Sequence, residues 1–238
     1  MILAAHQPDL LPYSGFWYKM AKADIFDLKI YDQLVDKGYQ RRVRMRGSWA
    51  TVPLVGKASV MPIVDARIDP EVAGPHLARQ ILGRYRNARY WRQRGATILD
   101  MVTDIHTDRL WQFNVELIVG VRDLLGIATP LGIGLRQAAK GNAGVIGALQ
   151  AFAERPTYLS GTGGRAYMGD CSEYTEAGID VVFSRHVPVT GDSVLSVIFD
   201  YANPLDVVLA EHDGGRDAER GGAPGELRTA APAGARVR

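Results

Sequence analysis

Met1-Ile2-Leu3-Ala4-Ala5-His6-Gln7-Pro8-Asp9-Leu10-Leu11-Pro12-Tyr13-Ser14-Gly15-Phe16-Trp17-Tyr18-Lys19-Met20-Ala21-Lys22-Ala23-Asp24 is the stretch on which the fold turns. Residues 2–5 are a short apolar run of the kind that forms a buried strand, and Pro8 and Pro12 stop it. From 11 to 23, apolar and aromatic residues recur at helical spacing, and Pro12 suits the first turn of a helix. His6, Gln7 and Asp9 therefore fall where a strand hands over to a helix N-terminus, the junction at which open α/β folds usually bind ligands. An imidazole, an amide and a carboxylate so close together form a site nucleus. The spacing alone names no reaction.

Downstream, residues 25–30 form a second apolar strand candidate. Residues 40–55 read as a hairpin or two neighbouring strands, with the β-prone part 48–55 bounded by Gly47 and Gly56. Residues 60–68 alternate as a short strand, with Pro62 assigning it to an edge. The pattern is helical from 71 to 105, with a bend expected at Gly95. Asp108 is a candidate cap for a helix over 109–125 that ends at Gly126. Residues 129–135 read as a strand, 144–154 as a helix, 158–160 as a strand entering a glycine-rich turn, 172–177 as a helix and 179–183 as a strand. A last apolar segment, 194–209, is interrupted at Asn203-Pro204. Strands alternating with helices predict an α/β or α+β fold: one domain over 1–210, with a mixed sheet covered by helices and a strand order the sequence leaves open. Residues 211–238 are rich in Gly, Ala and Arg and poor in large apolar residues, so a disordered tail is expected there.

The 238 residues are 47% hydrophobic, enough to bury a sizeable core, and the net charge of +2 gives no support to general nucleic-acid binding. Cys171 is the sole cysteine, which excludes an internal disulfide and a multi-cysteine metal site. His6, His76, His106 and His186 lack the paired spacing of metal ligands, so no metal is expected. No apolar run approaches the roughly 20 residues of a membrane span, and the N-terminus does not read as a signal peptide. A cytoplasmic protein is the default expectation.

The order His6-Gln7-Pro8, Leu11-Pro12, Gly15, Lys19 and Ala23-Asp24 resembles the signature of the WbqC-like protein family. Asp32-Gln33, the basic segment from Lys37 through Arg42 and Arg44, and Trp49 through Pro53 are similar to later family elements. So are Tyr158-Leu159-Ser160-Gly161, with Gly164 and Tyr167, and Leu195-Ser196-Val197-Ile198. The resemblance covers residues 1–210. It implies a role in O-antigen, other polysaccharide or natural-product biosynthesis, with glycyl-like aminoacyl transfer as the activity. Three departures bear on substrate choice: Arg41 where the family carries Asn, Phe199-Asp200 after the last motif, and Val187-Pro188-Val189-Thr190-Gly191 before it.

His6 is the candidate general base, since imidazole titrates near neutrality; the alternative is a core histidine satisfied by a backbone carbonyl. Asp9 is a candidate to orient His6 or bind an amine, and equally a helix cap. Gln7, Lys19 and Asp32 join them as candidate substrate-binding residues, although Lys19 also fits an exposed helix face. Arg42, Arg44 and Arg46 share one face of a strand and can form an anion-binding ridge, or a charged edge that resists aggregation. Tyr158, Ser160 and Gly161 lead into Gly161-Thr162-Gly163-Gly164-Arg165, which can cradle an anion with backbone N–H groups or be a tight turn needing positive φ. A Cys171–His186 dyad is the one cysteine-based alternative.

The leading expectation is a transferase that moves an aminoacyl or acyl group from an activated donor, such as a carrier-protein phosphopantetheine thioester, onto a small-molecule amine. An acyl carrier protein is then a candidate partner. Nucleotide or nucleotide-sugar chemistry is a second reading, and a non-catalytic substrate-binding or scaffolding protein a third.

Overall fold

The computed structural model describes residues 1–56, 60–134, 136–137 and 139–211. Strand β1 (Ile2–His6) is central because its side chains are apolar on both faces. Ala4 joins the larger core cluster on one side, and Leu3 and Ala5 the smaller one on the other. Around β1 lies a five-stranded parallel sheet in the order β5 (Leu131–Ile133), β2 (Ile25–Leu28), β1, β6 (Thr157–Ser160), β7 (Asp180–Phe183). The α/β expectation holds. Parallel and antiparallel pairing do coexist, but in separate sheets: among the described residues, β3 (Arg42–Met45) and β4 (Ser48–Thr51) pair only with each other. Val43 and Met45 of this hairpin face the core while Arg44 faces solvent.

The larger cluster packs α1 (Ser14–Lys22), α2 (Pro70–Tyr85), α3 (Trp91–Thr103), α4 (Leu110–Leu125) and α8 (Val194–Asp200) on one face of the sheet. Helices α5 (Gly141–Gln150) and α7 (Ser172–Glu176) contribute to the smaller cluster on the other face. The short helices α6 (Arg165–Met168) and α9 (Pro204–Val208) complete the described chain. None of the described helices is long and apolar enough to cross a membrane.

Four local expectations are corrected. Helix α1 starts at Ser14 rather than residue 11, because Leu11 takes a left-handed φ of 42° and the Pro12 carbonyl accepts from Trp17 Nε1 and Val194 N. Residues 60–68 are not an edge strand: a 3-10 turn, Ile63–Asp65, is tied to the preceding loop by Ile63 N to Asp32 O and Val64 N to Ile30 O. Gly95 does not bend the chain. It lies buried inside α3, where the Trp91 ring occupies the space a side chain would need. Asp108 does not cap α4; its carboxylate pairs with Arg67 and Arg109. Gly126 closes α4 in the left-handed conformation, as expected. The expected tail falls, beyond Glu211, on residues outside the described set.

Candidate functional site

In the order β5-β2-β1-β6-β7, the chain leaves β1 towards β2 and leaves β6 towards β7, so the direction of winding reverses between β1 and β6. At such a reversal the two loops diverge and open a crevice beyond the strand ends. His6 ends β1 and Ser160 ends β6. A chamber of about 380 Å³ lies there, lined by His6, Gln7, Lys19, Tyr158 and the turn from Ser160 to Gly164, among others. A second chamber of about 700 Å³ lies beyond the ends of β2 and β5. Lys29, Asp32, Val145 and Tyr167 line both, which makes them one cleft.

His6 Nδ1 lies 3.0 Å from the Gln7 carbonyl oxygen, which can only accept, so Nδ1 carries the proton and Nε2 has the lone pair. Burial, reinforced by the charge of Lys19, pushes the His6 pKa well below its ordinary value of 6.5. The imidazole is therefore neutral at physiological pH, yet its side chain is 31% exposed and reaches the chamber. Asp9 Oδ2 stands 3.6 Å from His6 Nδ1. Burial raises the Asp9 carboxyl to about 7, against the opposing pull of Lys19 and a Gln40 hydrogen bond. Lys19 is buried, donates to the Ala5 carbonyl at 3.3 Å, and is lowered to about 8, chiefly by burial and despite Asp9. So Lys19 does not sit on an exposed helix face.

A relay of amides holds these groups in place. Gln7 Nε2 donates to Asp32 Oδ2 at 3.1 Å, while Gln40 Nε2 donates to Gln7 Oε1 and, at 3.2 Å, to Asp9 Oδ1. Asn114, fully buried on α4, donates to the Pro8 and Gln40 carbonyls at 2.7 Å each and so pins both loops. Lys29 sits 3.6 Å from Asp32. Gln40, Asn114, Lys29 and Asp27 are the residues sequence reasoning missed. Two signals were available: Asn114 interrupts the apolar stripe of α4, and Asp27 interrupts the apolar run of β2.

At the other wall, Ser160 is buried, its hydroxyl donating to the Gly161 carbonyl at 3.3 Å and reaching Met168 Sδ at 3.5 Å. Gly161 has an ordinary φ of −70° with nothing within 4 Å of a built Cβ, so the turn does not need positive φ there. Gly164 also has an ordinary φ of −60°, and glycine is needed there for space, since a Cβ would lie 2.2 Å from Ser160 Oγ.

The structure thus brings His6, Asp9, Gln7, Lys19, Asp32, Tyr158, Ser160 and Gly161 to one cleft or its immediate support. It does not bring the arginine ridge there. Arg42 stacks on Trp49 at 4.1 Å, Arg44 faces Asp192 at 3.6 Å, Arg46 binds Asp200, and none lines either chamber. Cys171 and His186 form no dyad: His186 Nδ1 donates to the Ala210 carbonyl and Nε2 meets Ser14 Oγ at 2.7 Å. Among the described residues, no group of three or more His, Cys, Asp or Glu side chains is placed to hold a metal ion.

A family model described as the WbqC-like protein family matches residues 7–189, a span that takes in the lining of the cleft apart from Ala5 and His6. Comparison with curated proteins and with solved structures finds no match.

Proposed function

We infer the function from the premise that this chain belongs to the WbqC-like protein family, whose model matches residues 7–189. The proposed activity is transfer of an aminoacyl or acyl group from an activated ester or thioester onto a small-molecule amine, forming an amide in a polysaccharide or natural-product pathway. The observation that carries this reading is the state of His6: neutral, with its proton held on Nδ1 by the Gln7 carbonyl and its Nε2 lone pair unengaged among the described residues. That lone pair can take a proton from an attacking amine as the nitrogen–carbon bond forms; burial weakens the base in the free protein, so the step depends on the growing charge being met by Asp9.

In the proposed step the amine nitrogen bonds to the donor carbonyl carbon as its proton passes to Nε2. The carbon–sulfur or carbon–oxygen bond then breaks, and the leaving thiolate or alkoxide takes the proton back from the imidazolium. Asp9, 3.6 Å from Nδ1, stabilises the imidazolium while it exists. Lys19 offers positive charge near the developing oxyanion, and Asp32, anchored through Gln7, helps orient the substrate. A phosphopantetheine thioester on an acyl carrier protein is one donor compatible with this scheme.

The test is incubation of purified protein with acyl and aminoacyl thioesters and a panel of amines, read by mass spectrometry. Amide product is expected from the wild type, with His6→Ala slowed 10²-fold or more. Undiminished product from His6→Ala would remove His6 as the base.

A further inference from the structure

Between Glu71 and Asp100 the chain carries six arginines and no acidic residue. The whole protein has 28 basic against 26 acidic residues, so outside this segment the acids are in the majority. The asymmetry falls on α2, α3 and the corner that joins them. Two of the six arginines serve the fold. Arg84 donates to the Trp49 carbonyl at 3.1 Å, and Arg94 donates to the carbonyls of Ile198, Tyr201 and Ala202. The other four, Arg79, Arg86, Arg89 and Arg92, are exposed, and among the described residues no carboxylate or carbonyl meets their guanidinium groups. By contrast, Arg41, Arg44, Arg46, Arg67 and Arg122 each face an aspartate. Like charges gathered without counter-charges repel one another, so this face gains when an anionic partner covers it.

The periodicity of α2 shows what kind of partner that is. Ala73, Leu77, Ile81 and Tyr85 are buried on the core side. The opposite side presents Val72, Arg79, Leu82 and Arg86 at helical spacing, with Val72 40% and Leu82 42% exposed. Apolar side chains set between guanidinium groups fit a protein surface, where both kinds of contact can be buried. A phosphate backbone offers nothing to Val72 or Leu82, and a bilayer needs a larger apolar face than these two supply.

Exposed aromatic residues connect that face with the smaller chamber. Arg84 holds the backbone of Trp49, whose ring lies 5.8 Å from that of Tyr39. The Leu10 amide donates to the Tyr39 carbonyl at 2.8 Å, which ties Tyr39 to the loop leading to Tyr13, a residue of the chamber lining. We propose that the arginine face of α2 and the α2–α3 corner docks an acidic carrier protein, whose arm crosses Trp49, Tyr39 and Tyr13 to present the donor to His6. Guanidinium groups pair with carboxylates through two parallel hydrogen bonds, and a one-sided basic face orients the approach before contact. That the docked protein delivers a donor rests on the transferase reading; that it docks does not.

The probe is a purified, acidic holo-acyl carrier protein with a fluorescent label, titrated with the full chain at about 50 mM and about 300 mM salt. The wild type should bind it in the micromolar range at the lower salt and at least ten-fold more weakly at the higher. Arg79→Glu, Arg86→Glu and Arg92→Glu combined should cost at least ten-fold in affinity at the lower salt and leave the thermal midpoint in place. Transfer RNA and vesicles of anionic phosphatidylglycerol are the competing probes. No carrier binding, undiminished binding by the triple variant, or tighter binding of either competing probe to this face would each overturn the proposal. Transfer assays separate docking from catalysis. If both readings hold, the triple variant loses transfer from the carrier-bound thioester and keeps transfer from the free N-acetylcysteamine thioester. If the carrier binds to the wild type alone but no thioester yields product, the docking face stands and the transferase falls. If the free thioester yields product and the carrier does not bind, the transferase stands and the docking face falls.

Discussion

His6 and Asp9 titrate in opposite senses, and that opposition is measurable without a substrate. The folded pKa of His6 lies below its unfolded value, so on acidification the unfolded chain takes up a proton first and stability is lost as pH falls through about 6.5. The folded pKa of Asp9, about 7, lies above its unfolded value near 3.8, so between those values the folded chain holds the extra proton and stability is gained as pH falls. Replacing His6 by Ala removes the first effect and leaves the second. The thermal midpoint of His6→Ala should therefore rise relative to wild type between pH 8 and pH 5; superimposable pH profiles would contradict these ionisation states. Asp27 behaves like Asp9, since burial raises its carboxyl to about 6. Asp27→Asn removes the buried charge, so the gain in thermal midpoint over wild type should be larger at pH 7.5 than at pH 5, where the wild-type carboxyl is already protonated in the folded chain. At this scale the sequence was partly legible. His6, Gln7 and Asp9 announced themselves by lying together between a strand and a helix. Asp27 showed only as a break in the apolar run of β2 and Gln40 not at all, because their surroundings come from chain segments far away in sequence, Gly134 for one and Gln7 and Asp9 for the other.

Elements carry the next set of constraints. The turn after β6 contains glycines with different jobs. Gly164→Ala would place its Cβ 2.2 Å from Ser160 Oγ and 3.1 Å from Met168 Sδ. Such overpacking typically costs about 1–3 kcal/mol, and the displaced Ser160 would also distort the chamber wall. Gly161→Ala meets nothing within 4 Å and keeps a common φ, so its stability should stay within about 0.5 kcal/mol of wild type. Equal destabilisation of the two variants in urea unfolding would refute this division. Run length and punctuation made the strands and most helices legible, because a buried parallel strand reads as a short apolar block. Residues 60–68 misled because alternation records which side faces the core, and a chain tied down by Ile63 and Val64 amides alternates without a neighbouring strand. The break in the long helical stretch was misplaced for a related reason. Gly95 is required by packing against Trp91, whereas the helix ends after Tyr85 and the next begins at Trp91, preceded by Tyr90, whose amide donates to the Phe199 carbonyl.

Across the whole molecule, the arginine-rich hairpin serves as a brace. Arg46 makes paired hydrogen bonds of 2.5 and 2.7 Å to Asp200 and lies 4.8 Å from the Tyr85 ring, which joins the hairpin to α8 and α2. The pair is partly exposed, so Arg46→Ala should cost only about 1 kcal/mol, and less in high salt. Urea unfolding at two ionic strengths checks this, and a salt-independent loss of several kcal/mol would argue for a different role. The sequence put 42, 44 and 46 on one strand face, but the strand ends at Met45 and Arg46 turns left-handed at φ 52°; the partners of Arg44 and Arg46, Asp192 and Asp200, lie about 150 residues downstream. Strand order was illegible for the same reason: β6 lies beside β1, yet nothing local in residues 157–160 names that neighbour. Once the order is known, the crevice between β1 and β6 follows from it.

The central claim is that His6 waits at that crevice as a neutral base with its proton on Nδ1. Nitrogen-detected NMR of the imidazole in uniformly ¹⁵N-labelled protein, assigned by loss of the signal in His6→Gln, reads this state directly. The account predicts an unprotonated Nε2 and a protonated Nδ1 from pH 8 down to pH 5.5. An imidazolium at pH 6, or a neutral ring with the proton on Nε2, would contradict it.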